Sequence, residues 1–212
     1  MHILAEQIRS LDDSVAAVDL GQTPAEVVVL SFSDSDLGLV ASVHGQLGPD
    51  APSLRLASLA ALRHPYSVDL YLEKVAAKAR FVLVRLLGGA DYWRYGVDEL
   101  SMLARSKGIH LALIPGDDRP DPRLAVASTL PTDNLDLLER WFAFGGPDNI
   151  SAALAFIAAR LGRDTAWRQP APQPAFGHFP GVCARGDRSV LIVGYRALVN
   201  AGDAAPIEAV AE

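Results

Sequence analysis

Cysteine is almost absent: Cys183 is the only one in 212 residues. That excludes an internal disulfide and a cysteine-built zinc site. Basic charge is also scarce, with 19 Lys and Arg against 25 Asp and Glu for a net charge of −6, and the basic residues form no run. The electrostatic footprint of a nucleic-acid binder is therefore missing. No apolar stretch approaches the roughly 20 residues of a membrane-spanning helix. Met1-His2-Ile3-Leu4-Ala5-Glu6 also lacks the basic-then-apolar order of a secretory signal. The chain is expected to be cytoplasmic, with neither nucleic acid nor membrane as a partner. What is present is a core: half of the residues are apolar, while 17 Gly and 14 Pro are ordinary numbers. Disordered and fibrous classes are excluded on that composition.

The apolar residues fall into two alternating patterns. Val27-Val28-Val29-Leu30-Ser31-Phe32 is a continuous β-branched and apolar run, as in a strand buried on both faces of a parallel sheet. Leu54 to Ala57 repeats it weakly, Phe81 to Val84 (continuing through Arg85 to Leu87) and His110 to Ile114 strongly, and Val190 to Val193 much later. Met1 to Ala5 is a candidate edge strand. Helical spacing fills the intervals: Val68, Leu72, Val75 and Ala79; then Val97, Leu100 and Ala104 with Gly108 at the C′ position; then Leu135, Leu138 and Phe142; then Ile150, Leu154, Ile157 and Leu161. Alternation of this kind predicts an α/β fold with a doubly wound, mostly parallel sheet of the flavodoxin-like type, whose ligands sit at the carboxyl ends of the strands.

The texture changes at Arg163. Pro170, Pro172, Pro174, Pro180 and three glycines interrupt residues 163–188, so this interval reads as a linker between an α/β domain at 1–162 and a second α/β unit starting at 189–212. The helix opening at Pro206-Ile207-Glu208 has under two turns before Glu212, so the sequence is expected to be the front part of a longer polypeptide. The alternative is that Val190 to Val193 completes the first sheet as a fifth strand.

Strand exits are the places to look for chemistry. Ser33, Asp34 and Asp36 follow the first strong strand, where Ser33 or Asp34 can cap the next helix or face a ligand. Asp34 and Asp36 could meet Asp117 and Asp118 around a hard cation, but the third strand ends in Arg85-Leu86-Leu87-Gly88-Gly89 where such a site needs an acid. Gly88 and Gly89 permit close backbone approach, Arg85 can fork onto a carboxylate, and Tyr92, Trp93 and Tyr95 offer flat faces. Together they suggest the edge of a site for a flat anionic ring, or an aromatic seal on the end of the sheet. Gly145-Gly146-Pro147-Asp148-Asn149 lacks the Lys-Ser/Thr of a P-loop and reads as an interhelix turn with Pro147 at N1. The five histidines stand at no ligand spacing, although His178 and Cys183 lie close in sequence. No metal site and no catalytic group is expected in this chain.

Several strings carry a resemblance. Met1 to Leu4, Val18 to Ala25, Leu30 to Leu37, Val84 to Gly89 with Tyr92 to Gly96, Gly145 to Asn149, and Tyr195 to Leu198 with Ala201 to Pro206 occur in order along nearly the whole chain. In these it resembles the N-terminal region of the large subunit of aerobic, ATP-dependent cobaltochelatase, the CobN family, which also includes the magnesium chelatase H subunit. The resemblance implies a role in inserting cobalt into hydrogenobyrinic acid a,c-diamide during cobalamin biosynthesis, with ATP hydrolysed by two partner subunits. Cobalt and ATP are then used by the whole complex, and this chain holds no cofactor of its own. Its implied partners are the remainder of the large subunit, the ATPase subunits and the corrinoid. A corrin is a large ring with several carboxylate groups, so Arg85, Tyr92, Trp93, Arg94 and Tyr95 are the residues expected to touch it. The competing expectation is a docking or lid domain without ligand contact.

Overall fold

A computed structural model of the chain describes residues 16–172. The strands expected at Met1 to Ala5 and Val190 to Val193, the helix near Pro206, and His178 and Cys183 lie outside the described residues. The architecture is a four-stranded, all-parallel sheet in the order β2-β1-β3-β4, built from β1 (Val27–Ser31), β2 (Leu54–Ser58), β3 (Phe81–Leu86) and β4 (His110–Pro115). Every residue of β1 is buried, as its unbroken apolar run requires of a strand covered on both faces. Alternation along the strand sends Val28 and Leu30 into one core and Val27 and Val29 into the other.

Helices α1 (Asp34–Gly45), α2 (Pro65–Lys74), α3 (Arg94–Lys107), α4 (Pro122–Ala127), α5 (Thr132–Phe144) and α6 (Gly146–Arg160) divide between these cores. Val68, Leu72, Val97, Leu100 and Leu124 bring α2, α3 and α4 to the first face; Val40, Val43, Leu138, Trp141, Leu154 and Ile157 bring α1, α5 and α6 to the second. The sheet is thus doubly wound. Gly108 ends α3 in the left-handed conformation, as its place after the last apolar repeat predicts. The run read as one helix from Val68 to Ala79 is shorter, because Val75 leaves helical geometry and a 3-10 turn (Ala76–Lys78) finishes it. Helix α4 carries no apolar repeat long enough to see in the sequence. Its signal is Asp121-Pro122, an N-cap whose carboxylate accepts from Arg123 N, followed by Pro at N1.

Both sheet edges are partly met by side chains. Beyond β4, Leu111 N donates to Thr129 Oγ1 and Leu113 N to Ser128 Oγ, at 2.7 and 2.9 Å. Beyond β2, Gln22 Nε2 donates to Leu56 O at 2.8 Å, and the Arg55 guanidinium reaches back to Thr23 O. These contacts blunt edge groups that would otherwise recruit another strand. Residues 163–172, the front of the interval read as a linker, pack on the domain: Trp167 lies edge-on to Trp141 and Phe156, with centroids 5.6 and 5.4 Å away.

Candidate functional site

The carboxyl ends of β1 and β3 place Ser31 beside Arg85 in register, and the loops after them carry the residues singled out from the sequence. Ser33 is the N-cap of α1, its hydroxyl accepting from Asp36 N at 3.2 Å. Asp34 stands exposed in the first turn, where the helix dipole favours an acid. Asp36 turns inward. Arg85 Nη1 donates to both of its carboxylate oxygens at 2.6 Å, and Ser31 Oγ donates to Asp36 Oδ2 at 3.0 Å. Both charged side chains are nearly enclosed, at 15% and 17% exposure, and the guanidinium carbon lies 5.9 Å from the centroid of the Phe142 ring. Arg85 Nε is buried with no acceptor. On α5, burial pushes the Glu139 carboxyl up; nearby Asp136 adds to the rise and Arg85 opposes it. Arg85 is therefore committed to an internal carboxylate, and any external carboxylate must compete with Asp36.

The aromatic group does not converge. Trp93 is 5% exposed, closes the end of the first core and donates through Nε1 to Leu62 O at 2.8 Å. Its neighbours face water: Tyr92 is 66% exposed and meets the Phe32 ring edge-on at 6.2 Å, and Tyr95 is 41% exposed, its hydroxyl donating to Asp69 at 2.7 Å. That hydrogen bond pushes the Tyr95 phenol up to about 12. Arg94 is exposed, within 3.9 Å of Asp91 and 4.0 Å of Asp98. The backbone explains the scatter: a 3-10 turn (Ala90–Trp93) leads into α3, so consecutive side chains radiate in different directions. Arg85 points into the second core and Trp93 into the first, on opposite faces of the sheet.

Gly88 and Gly89 both have positive φ, +85° and +79°. A Cβ on Gly89 would stand 2.7 Å from Asp121 Oδ2, the atom that accepts from Ala90 N at 3.0 Å. Asp121 is the hub of a clasp that the sequence alone did not reveal. Arg123 donates to both of its oxygens at 2.8 Å and to Asp91 at 3.0 and 2.9 Å, tying the turn after β3 to α4. Hydrogen bonds from Arg123, then from the Ala90 backbone, hold the Asp121 carboxyl well below the usual carboxylate range. A carboxyl with a depressed folded pKa contributes stability that is present above its unfolded pKa and lost as pH falls through the folded value. Acid titration of stability is accordingly expected to be steeper below about pH 4 in the parent than in Asp121→Asn, and equal slopes by chemical denaturation would show the clasp to be inert.

The grouping of Asp34, Asp36, Asp117 and Asp118 around a cation is not what the fold builds. Asp36 is taken by Arg85, Asp117 accepts from Gly88 N and Arg119 N, and among the described residues no three His, Cys, Asp or Glu side chains gather closely enough to hold a metal ion. His110 sits half-buried at the start of β4 against Phe81, and burial, then Arg160 and Arg80, pushes its pKa down.

Over 99% of its length the chain is 37% identical to the aerobic cobaltochelatase subunit CobN of a Sinorhizobium species. The chain is homologous to part of CobN. Over 84% of its length it is also 43% identical to CobN of Pseudomonas aeruginosa. It spans only 18% and 14% of those two CobN chains. Among solved structures, the catalytic subunit of cobaltochelatase from Mycobacterium tuberculosis matches 86% of this chain and 14% of its own, with a TM-score of 0.63 at 27% identity. No family model matches. The likeness to CobN read from short strings thus extends along almost the whole chain, and the α/β architecture is shared with a cobaltochelatase subunit.

Proposed function

We propose that this chain is a segment of the large subunit of aerobic cobaltochelatase, acting in the cytoplasm in the ATP-dependent insertion of cobalt into hydrogenobyrinic acid a,c-diamide. The observation that carries this reading is the 37% identity to CobN across 99% of the chain. In that enzyme ATP is consumed by two partner subunits, and the segment's own part is architectural. Two sets of charged groups at its strand exits are paired internally: Arg85 with Asp36, and Arg123 with Asp91 and Asp121. Side chains paired in this way hold loops in place. Excision of residues 16–172 from the full-length subunit is expected to abolish cobalt insertion in the presence of the ATPase partners, while undiminished insertion would sink the reading.

A second reading, corrinoid contact, rests on two separately exposed groups, the ring of Tyr92 and the guanidinium of Arg94, whose ion pairs to Asp91 and Asp98 are long. A flat ring bearing carboxylates needs such a face and such a charge. Titrating the 212-residue protein with hydrogenobyrinic acid a,c-diamide should then quench tryptophan fluorescence saturably. Tyr92→Ala combined with Arg94→Ala should weaken binding about tenfold. Absence of quenching overturns this second reading and leaves the segment without ligand contact.

A further inference from the structure

The path of the chain singles out one end of the sheet. Residues 163–172 begin at the amino end, where Arg163 reaches Glu26, the residue before β1, at 3.1 Å. They then climb α6 in the opposite direction. Thr165 Oγ1 donates to Ala155 O at 2.9 Å, Trp167 packs on Trp141 and Phe156, and Ala171 exchanges two hydrogen bonds with the Asn149 side chain at 2.8 and 3.0 Å. Asn149 lies in the first turn of α6. The last turn of α6 is at the amino end, since Arg80, just before β3, donates to Leu161 O at 3.0 Å. A helix of 15 residues spans about 22 Å. Its first turn, and with it Ala171, therefore stands at the strand-exit end.

The other terminus of the described chain behaves alike. Val18 N donates at 2.8 Å to Ser67 Oγ in the first turn of α2, which follows the exit of β2; Glu26 N meets Ser53 Oγ at the amino end at 2.9 Å. The described residues thus begin and end at one end of the sheet. There the turn after β3 carries two exposed apolar side chains, Leu87 at 51% and Tyr92 at 66%, and the Tyr92 ring meets the partly buried Phe32 edge-on.

We infer that this strand-exit end, with Leu87 and Tyr92 at its centre, is the docking face for the polypeptide that continues past Pro172, residues 173–212. The continuing segment starts at that end and is 40 residues long. Its composition suits the face. It brings Phe176, Phe179 and the run Val190 to Val193. Apolar groups to bury on both sides are what such an intramolecular contact needs. The inference stands on the path of this chain and does not depend on the cobaltochelatase reading.

Cys183, the only cysteine, supplies the probe. The 212-residue protein is labelled there with benzophenone maleimide, irradiated, digested and mapped by mass spectrometry. Cross-links are expected on the peptide that carries Leu87 to Trp93. The combined Leu87→Ser and Tyr92→Ser change, in protein shown to be folded by circular dichroism, should lower their yield about tenfold, the loss of two buried apolar contacts. Cross-links in the groove of about 790 Å³ at the opposite end, lined by His44, Pro49, Leu154 and Arg163, would place the segment elsewhere and overturn the inference. So would an absence of intramolecular cross-links, or a yield unchanged in the double variant, which would reflect tethering alone.

Discussion

Replacing Trp141 with alanine is expected to destabilise the protein by about 3–5 kcal/mol, the largest loss of any single truncation. Trp141 is fully buried on α5, tilted against Phe156 at 5.4 Å, edge-on to Trp167, and its Nε1 donates to Arg168 O at 3.1 Å. One side chain thus joins the second core to the strap that ends at Ala171. Removal leaves a cavity that neighbours on α6 can fill only in part, and an unpaired carbonyl on the strap. For a domain of this size the loss corresponds to about 10 °C in Tm. Urea denaturation followed by circular dichroism checks the energy. The emission of Trp167 checks the mechanism, because release of the strap shifts it to the red. Trp141→Phe keeps most of the volume and should cost less than half as much. A loss below about 1 kcal/mol for the alanine variant would mean that the strap and α5 stand independently.

Asp36→Ala comes next, at about 3–5 kcal/mol. The reason is an asymmetry: removing one partner of an enclosed ion pair strands the other, and Arg85 at 15% exposure has little water to turn to. Ser31 Oγ loses its acceptor in the same step, and the N-terminus of α1 loses an acid. Replacing both partners by apolar residues, Asp36→Ala with Arg85→Met, is expected to recover much of the loss, because no stranded charge remains. Denaturation of the four proteins of this double-mutant cycle measures the coupling. A loss no larger than that of an exposed pair, under about 1 kcal/mol, would show that Arg85 reaches solvent on its own. The same variant separates the two readings of Arg85. Were the guanidinium a receptor for a corrinoid carboxylate, freeing it from Asp36 should raise corrinoid affinity even as stability falls; a purely structural pair lowers stability and leaves affinity unchanged.

Much of the frame is legible in the sequence. The unbroken run at Val27 to Leu30, the helical repeats around Leu100 and Leu138, and the left-handed stop at Gly108 are local signals, and local propensity and burial agree at those positions. Helix α4 escaped notice because six residues are too few for a periodic signal, and only its cap announced it. The candidate site fared differently. Tyr92, Trp93, Arg94 and Tyr95 are adjacent in sequence, yet the turn into α3 sends Trp93 into the core and the others toward solvent. The homology to CobN was likewise carried by strings of residues and needed no geometry to be seen.

By itself the sequence determined the fold class, the absence of a cysteine-built site, and the kinship with a cobaltochelatase subunit, since each follows from patterns within short stretches of chain. Only the tertiary structure decided that Arg85 belongs to Asp36, that Asp121 and Arg123 clasp the turn after β3, and that residues 163–172 return the chain to the strand-exit end. Apart from Asp121 with Arg123, two positions apart, those pairings join residues 22 to 137 positions apart. Such partners are chosen by how two cores close around a sheet, which no local pattern encodes.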